Sequence, residues 1–160
     1  MNSKKLILSA LTVSMLSGCI VIAKPSRANV EFEKELSITA SHIQHLDISA
    51  GAGELHLIGS DTAKDISIKA HVFTTSSKRD DYDLSLDSNG EKAYIVAKHN
   101  STSGMWIGNS PRIDITVTAP SSMSITIDDG SGDMWISHFN NDVRVKDGSG
   151  EIEIKNTQGN

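Results

Sequence analysis

From Glu31 onward, apolar residues recur mostly at every second position, the period that turns one face of a pleated strand toward a core. The runs are short: Leu46/Ile48, Leu55/Leu57, Ile66/Ile68/Ala70/Val72, Leu84/Leu86, Ile113/Ile115/Val117, Met123/Ile125/Ile127, Val143/Val145 and Ile152/Ile154. Polar residues fill the alternate positions, and Gly, Asn, Asp or Pro bounds most runs. No window long enough for a helix keeps a 3.6-residue period after the first 30 residues. The pattern predicts an all-β domain.

One stretch repeats itself. Ser124-Ile125-Thr126-Ile127-Asp128-Asp129-Gly130-Ser131-Gly132-Asp133-Met134-Trp135-Ile136 aligns with Asp142-Val143-Arg144-Val145-Lys146-Asp147-Gly148-Ser149-Gly150-Glu151-Ile152-Glu153-Ile154. A weaker copy runs from Leu46 to Leu57 around Gly51-Ala52-Gly53-Glu54. Repetition with apolar positions in phase is what stacked coils produce, so the expected architecture is a parallel β-solenoid or β-helix-like single domain. An array of antiparallel hairpins would also yield strand, turn and strand units. The glycines of Gly-Ser-Gly allow positive φ on both sides of a tight bend, and the preceding Asp can bond the turn backbone.

Thr74 to Gly108 leaves the repeat, with polar loops at 74–81 and 99–104. A hairpin excursion is expected there, with strands at Asp83–Leu86 and Ala93–Ala97 about a turn at Asp87-Ser88-Asn89-Gly90, since Asn-Gly is a favoured hairpin pair.

The first 30 residues have a different logic. Lys4 and Lys5 precede an apolar stretch from Leu6 to Leu16, followed by small residues Ser17 and Gly18 before Cys19. This order defines a secretory signal peptide, and the apolar stretch is too short to span a bilayer, which needs about 20 residues. Leu16-Ser17-Gly18-Cys19 resembles the bacterial lipobox. That resemblance implies cleavage after residue 18 and a lipid, palmitate among its acyl chains, on Cys19. It also implies the outer membrane of a Gram-negative envelope, because Ile20 rather than Asp follows the cysteine. The expected organisation is therefore a signal peptide at 1–18, a lipidated Cys19 and tether at 19–30, and a repetitive β domain at 31–160 with its clearest repeats at 123–160.

Composition narrows the partners. Of 15 basic residues two are Lys4 and Lys5, so cleavage leaves 13 against 20 acidic ones, a formal net charge of −7. Such a chain lacks the clustered Lys and Arg that nucleic acid demands, and membrane attachment falls to the anchor. Cys19 is the single cysteine, so no intramolecular disulfide forms. The chain stops at Gly159-Asn160, where a further coil would begin, which predicts an open C-terminal edge and self-association through it.

Taken together, the Gly51-Ala52-Gly53-Glu54 turn, the Ile115-Thr116-Val117-Thr118-Ala119-Pro120 stretch and the two Gly-Ser-Gly turns resemble a bacterial putative-adhesin domain family of unknown function, from about Leu46 to Asn160. The resemblance implies an envelope location, one repetitive β domain and no active site.

Candidate chemistry is sparse. Asp128-Asp129-Gly130-Ser131-Gly132-Asp133 partly matches the calcium-binding nonapeptide of β-roll toxins, but the opposite edge, Ser137-His138-Phe139-Asn140-Asn141, carries no carboxylate, so a solvated turn is expected and no metal. The histidines, including His42 and His45, lack zinc-ligand spacing, and no nucleophile elbow or phosphate loop occurs. Neither an enzyme nor a cofactor is expected. Trp106, between Gly104 and Gly108, and Trp135, in the polar-facing phase of its strand, are the contact candidates, for a glycan or a protein groove. The leading expectation is a non-enzymatic adhesin-like binding or assembly lipoprotein. The others are a periplasm-facing structural or regulatory lipoprotein binding an envelope partner, and a polysaccharide-acting enzyme.

Overall fold

In the computed structural model, which describes residues 28–75, 81–100 and 110–159, the alternation becomes eleven strands and no helix. They are β1 (Val30–Thr39), β2 (His45–Ala50), β3 (Leu55–Ser60), β4 (Asp65–Thr74), β5 (Tyr82–Asn89), β6 (Lys92–His99), β7 (Arg112–Pro120), β8 (Ser124–Asp129), β9 (Met134–Ser137), β10 (Val143–Asp147) and β11 (Ile152–Lys155). Two mixed sheets face each other across the core, in the orders β1-β4-β7-β3-β9-β11 and β10-β8-β2-β6-β5, and neither closes into a barrel. No helix among the described residues is long and apolar enough to cross a membrane.

The repeats are neighbours in space. β8 pairs in parallel with β10 and β9 with β11 at an offset of 18 residues, Ile125 opposite Val143 and Met134 opposite Ile152. The weaker copy joins in the same phase, with Leu46 opposite Ile125 and Leu55 opposite Met134. These parallel pairings exclude antiparallel hairpins for the repeats. The inner face is thus a set of rows of like residues, for instance Ile95, Ile48, Ile127 and Val145 in one sheet and Val117, Leu57, Ile136 and Ile154 in the other. Leu46, Leu55, Leu57, Ile125, Met134 and Ile136 are all buried to within 1 %. Burying a side chain of this size stabilises the fold by about 1.5–3 kcal/mol.

The order of the rows departs from a single continuous winding. The pair β2–β3 lies between β6–β7 on one side and β8–β9 on the other. The chain leaves after β3, runs β4 antiparallel to both β1 and β7, adds the β5–β6 hairpin, and then returns. The excursion therefore caps one end of the stack.

The hairpin is present, but its turn is displaced from the Asn89-Gly90 centre that the sequence suggested. Asn89 pairs with Lys92, so the two-residue connection is Gly90-Glu91 and the strands extend through the polar residues. Gly90 has φ of 61° and Glu91 is not in the left-handed region, the pattern of a turn with glycine at its first central position. β1 was also weakly marked in sequence, because Lys34 interrupts the inward series Phe32, Leu36 and Ile38.

What holds the stack in register is the link between paired strands. Gly53, Gly132 and Gly150 occupy equivalent positions with φ of 138°, 138° and 153°. A Cβ on Gly132 would collide with the Gly53 carbonyl, and one on Gly150 with the Gly132 carbonyl. The amide of Gly53 donates to Ser131 and that of Gly132 to Ser149, at 3.1 and 3.0 Å. Consecutive links thus lie backbone against backbone.

Gly132→Ala should destabilise the domain by about 3 kcal/mol or more, because a left-handed φ and a backbone clash act together. Gly90→Ala, with nothing near its missing Cβ, should cost about 1 kcal/mol. Urea denaturation of both variants tests this, and equal losses would show that the stacked links do not set stability.

Candidate functional site

Because β-sheet side chains alternate, each inward apolar row has an outward polar row beside it. On the outer face of the six-stranded sheet one such row runs Glu35, Lys69, Thr116, His56, Trp135 and Glu153 from β1 to β11. Trp135 is where the sequence reading placed it, in the outward phase between buried Met134 and Ile136. Its indole stacks on the His56 imidazole from the neighbouring strand, ring centroids 4.3 Å apart and planes 11° from parallel.

Around this pair the face is shallow. A hollow of about 260 Å³ is bordered by His56, Ile58, Trp135, Ser137, Glu153 and Lys155. Ile58 is 39 % exposed, and Lys155 and Glu153 form an ion pair of 2.6 Å at the rim. On the other side of His56 a groove of about 490 Å³ crosses β1, β4 and β7. Of the residues lining it, Glu35 pairs with Lys69 at 3.8 Å and Glu54 with His56 at 3.6 Å, while His71 reaches Glu31 at 2.6 Å and Asp114 reaches Arg112 at 3.1 Å. The Arg112 guanidinium also sits 3.6 Å from the Phe73 ring centroid, which fixes this end of the groove.

The acidic residues in and beside the links are engaged by neighbouring rows. Asp114 accepts a hydrogen bond from the Glu54 amide and Asp133 from the Glu151 amide, each at 3.0 Å, and Lys146 pairs with Asp128 at 3.3 Å. Among the described residues no three carboxylate, imidazole or thiol groups converge. Asp114 and Asp133 thus serve a neighbouring strand's backbone, and Asp128 serves a lysine side chain of the next row.

Across the molecule, the outer face of the five-stranded sheet carries a constellation that sequence reasoning did not pick out. His45 Nδ1 lies 2.6 Å from Ser124 Oγ, and Nε2 lies 2.7 Å from Asp47 Oδ1 and 3.2 Å from Thr126 Oγ1. Serine, histidine and aspartate in sequence suggest nucleophilic catalysis, but that chemistry also needs donors aimed at a developing oxyanion. Here the neighbouring amides are committed to the ladder: His45 N to Glu91, Ser124 N to Gln44 and Ile125 N to Asp142. None of the hollows above is lined by His45. The network ties β2 to β8.

Two inward carboxylates stand out. Asp129 is 6 % exposed and lies beside Asp147 in register. Asp129 Oδ2 and Asp147 Oδ1 are both buried without a hydrogen-bond partner. Burial pushes the Asp129 carboxyl from 3.8 up to about 6; the Gly130 amide and Lys98 oppose this, and Asp147 and Asp128 add to it.

Of the other residues singled out in sequence, Cys19 and Trp106 lie outside the described residues. The signal peptide and most of the tether lie outside them as well.

No protein-family model matches this sequence, and no curated protein matches it. Solved structures do. A protein from Clostridium sporogenes named a "putative cell adhesion protein" superposes with a TM-score of 0.56 over 78 % of this chain at 13 % identity. A protein from Bacteroides fragilis named a "putative adhesin" gives 0.51 over 82 %, also at 13 % identity. This chain spans only 61 % and 57 % of their respective lengths. The likeness is one of fold.

The Asp129 carboxyl makes a signed prediction. Its folded pKa lies above the unfolded one, so the folded protein holds an extra proton between about pH 4 and pH 6, and stability falls as pH rises through that window. Asp129→Asn should flatten that slope and be more stable than the parent at neutral pH by about 2 kcal/mol. Chemical denaturation across the window is the measurement, and an unchanged slope in the variant would refute the assignment.

Proposed function

We propose that this chain is a non-enzymatic envelope lipoprotein, anchored through lipid on Cys19 in the outer membrane, whose β domain binds a protein partner through the Trp135 face. In this reading the parallel rows are the rungs of a short β-solenoid-like body, and the tether holds that body at the membrane surface. The observation that carries it is the His56–Trp135 stack beside exposed Ile58 on a broad, shallow sheet face. A rigid aromatic with an apolar neighbour and a charged rim is the composition of a binding hot spot.

The geometry favours protein over glycan. One face of the indole is occupied by His56, and Glu153 follows in the same row. A pyranose ring that needed a free aromatic face would compete with both. The adhesion named for the two structural neighbours belongs to the same broad class of activity, binding without chemistry. An enzyme acting on polysaccharide has less support, because of the carboxylates lining the larger groove Glu35 is engaged by Lys69, Glu54 by His56 and Asp114 by Arg112.

A photo-crosslinking residue placed at Trp135 or Ile58 in the full lipidated chain should trap one defined partner in cells, whereas the same residue at Tyr94, exposed on the opposite sheet, should not. Equal trapping at all three positions, or none at Trp135 and Ile58, would reject this face. Protease treatment of intact and opened cells then decides whether the partner is external or periplasmic. Cys19→Ala should release the body from the membrane fraction, and unchanged fractionation would reject the anchor.

A further inference from the structure

The outer face of the six-stranded sheet is charged one-sidedly, and the excess survives its ion pairs. Beside the row that holds Trp135 runs a second outward row, two residues nearer the links. It begins with Glu33, His71 and Asp114, in register on β1, β4 and β7. It continues through Glu54, Asp133 and Glu151, the residues that precede Leu55, Met134 and Ile152, which share a row with Ile115. Five carboxylates thus cross the sheet with one imidazole and no lysine or arginine in the row.

The cations of this face are already spent. Lys69, Arg112 and Lys155 neutralise Glu35, Asp114 and Glu153. That leaves Glu33, Glu54, Asp133 and Glu151 with no lysine or arginine partner among the described residues, and Glu54 has only His56, at 3.6 Å. Asp133 accepts a hydrogen bond from the Glu151 amide, which holds its side chain without cancelling the charge. Lys34, which lines the groove from the inward phase of β1, offsets one of the four at most. The opposite sheet is balanced: Asp47 pairs with Lys92, Asp128 with Lys146 and Asp142 with Arg144, and Asp83 stands opposite Lys98. Of the outward aspartates described there, only Asp87, opposite Tyr94, faces no cation.

Like charges on adjacent strands destabilise a sheet, so the isolated domain carries this row at a cost. A cationic occupant turns the cost into attraction. The groove of about 490 Å³ lined by Glu33, Glu35, Glu54 and Asp114 gives it a seat. The carboxylate row lies about 7 Å from the Trp135 row, the rise of two residues along a strand, and six strands give it a length of about 24 Å. One occupant can therefore lay lysine or arginine along the carboxylates and an apolar side chain against Trp135 and Ile58. A phosphate-bearing surface has the wrong sign, and so does a second copy presenting the same face.

We propose that the Trp135 face takes a basic protein segment, an extended stretch with lysine or arginine along the row from Glu33 to Glu151 and an apolar residue against Trp135 and Ile58. The proposal rests on the Trp135 face being the recognition surface and names the chemistry of what that face receives.

The probe is a fluorescent peptide of alternating lysine and leucine, titrated by anisotropy against the purified full chain, with a glutamate and leucine peptide as the reference. The lysine peptide should bind, the glutamate peptide should not, and affinity should fall with added salt. Glu33→Gln/Glu54→Gln/Glu151→Gln should weaken binding about tenfold. Trp135→Ala should weaken it about fivefold, whereas Asp83→Asn/Asp87→Asn on the opposite sheet should change it by less than about twofold. All five of these carboxylates are exposed, and melting temperatures near the parent's would show that the fold is intact in each variant. A lysine peptide that fails to bind, a glutamate peptide that binds as tightly, or equal weakening by the opposite-sheet variant overturns the proposal. Weakening by Trp135→Ala with none from the triple glutamine variant overturns the basic occupant and leaves the face standing. The reverse result overturns the face itself, and the proposal with it.

Discussion

Everything in this molecule depends on the close approach of one strand link to the next. A Cβ on Gly132 or Gly150 would strike the carbonyl of the adjacent link and one on Gly53 the Ile113 carbonyl of β7, and each glycine is in the left-handed region. That contact sets the parallel register. Once it is set, Leu55, Met134 and Ile152 must share a row, and so must His56, Trp135 and Glu153. The inner rows become a core and the outer rows become a surface whose composition is fixed by the same alignment. A side chain at any one of these glycines would separate the links and take both faces with it.

This coupling explains which parts of the structure could be read from sequence. The repeat was visible, and aligning its copies amounts to writing the register: Leu46 over Ile125, Ala52 over Ser131, Leu55 over Met134. The hairpin was visible as well, from alternation flanking Asn89-Gly90, although glycine's preference for the first central position of the turn shifted it by one residue. Even the two outer-face constellations were latent in that alignment. It sets His56 against Trp135 and His45 against Ser124, but it gives no sign of which row neighbours make a contact until the strands are known to pair directly.

What could not be read is the order of rows. Local pattern marks a strand and its inward face, and carries no information on which distant strand lies beside it. The copy that comes first in the chain ends up in the middle of the stack, with later segments on both sides. Strand β1 was obscured for a related reason. Its inward Lys34 breaks the apolar alternation that identifies strands, and an edge is where such a residue is tolerated. The irregularity that hides the strand from pattern analysis is the feature that protects it from pairing.

The two outer faces also differ in how much of their chemistry is closed. On the five-stranded sheet His45 uses both ring nitrogens on Ser124, Asp47 and Thr126, so the most polar group of that face is already satisfied by its own neighbours. On the six-stranded sheet the aromatic pair has no such closure. His56 reaches Glu54 at 3.6 Å and otherwise lies against Trp135, while Ile58 stands exposed beside it. A folded protein gains nothing in isolation from an apolar residue left in water next to a tryptophan, when the equivalent position in the adjacent row is Ser137. The asymmetry between one face closed by internal hydrogen bonds and another with an open aromatic and apolar hollow is the reason β3 and β9 carry the proposed recognition surface. The core beneath them needs only Leu55, Leu57, Met134 and Ile136 to stand.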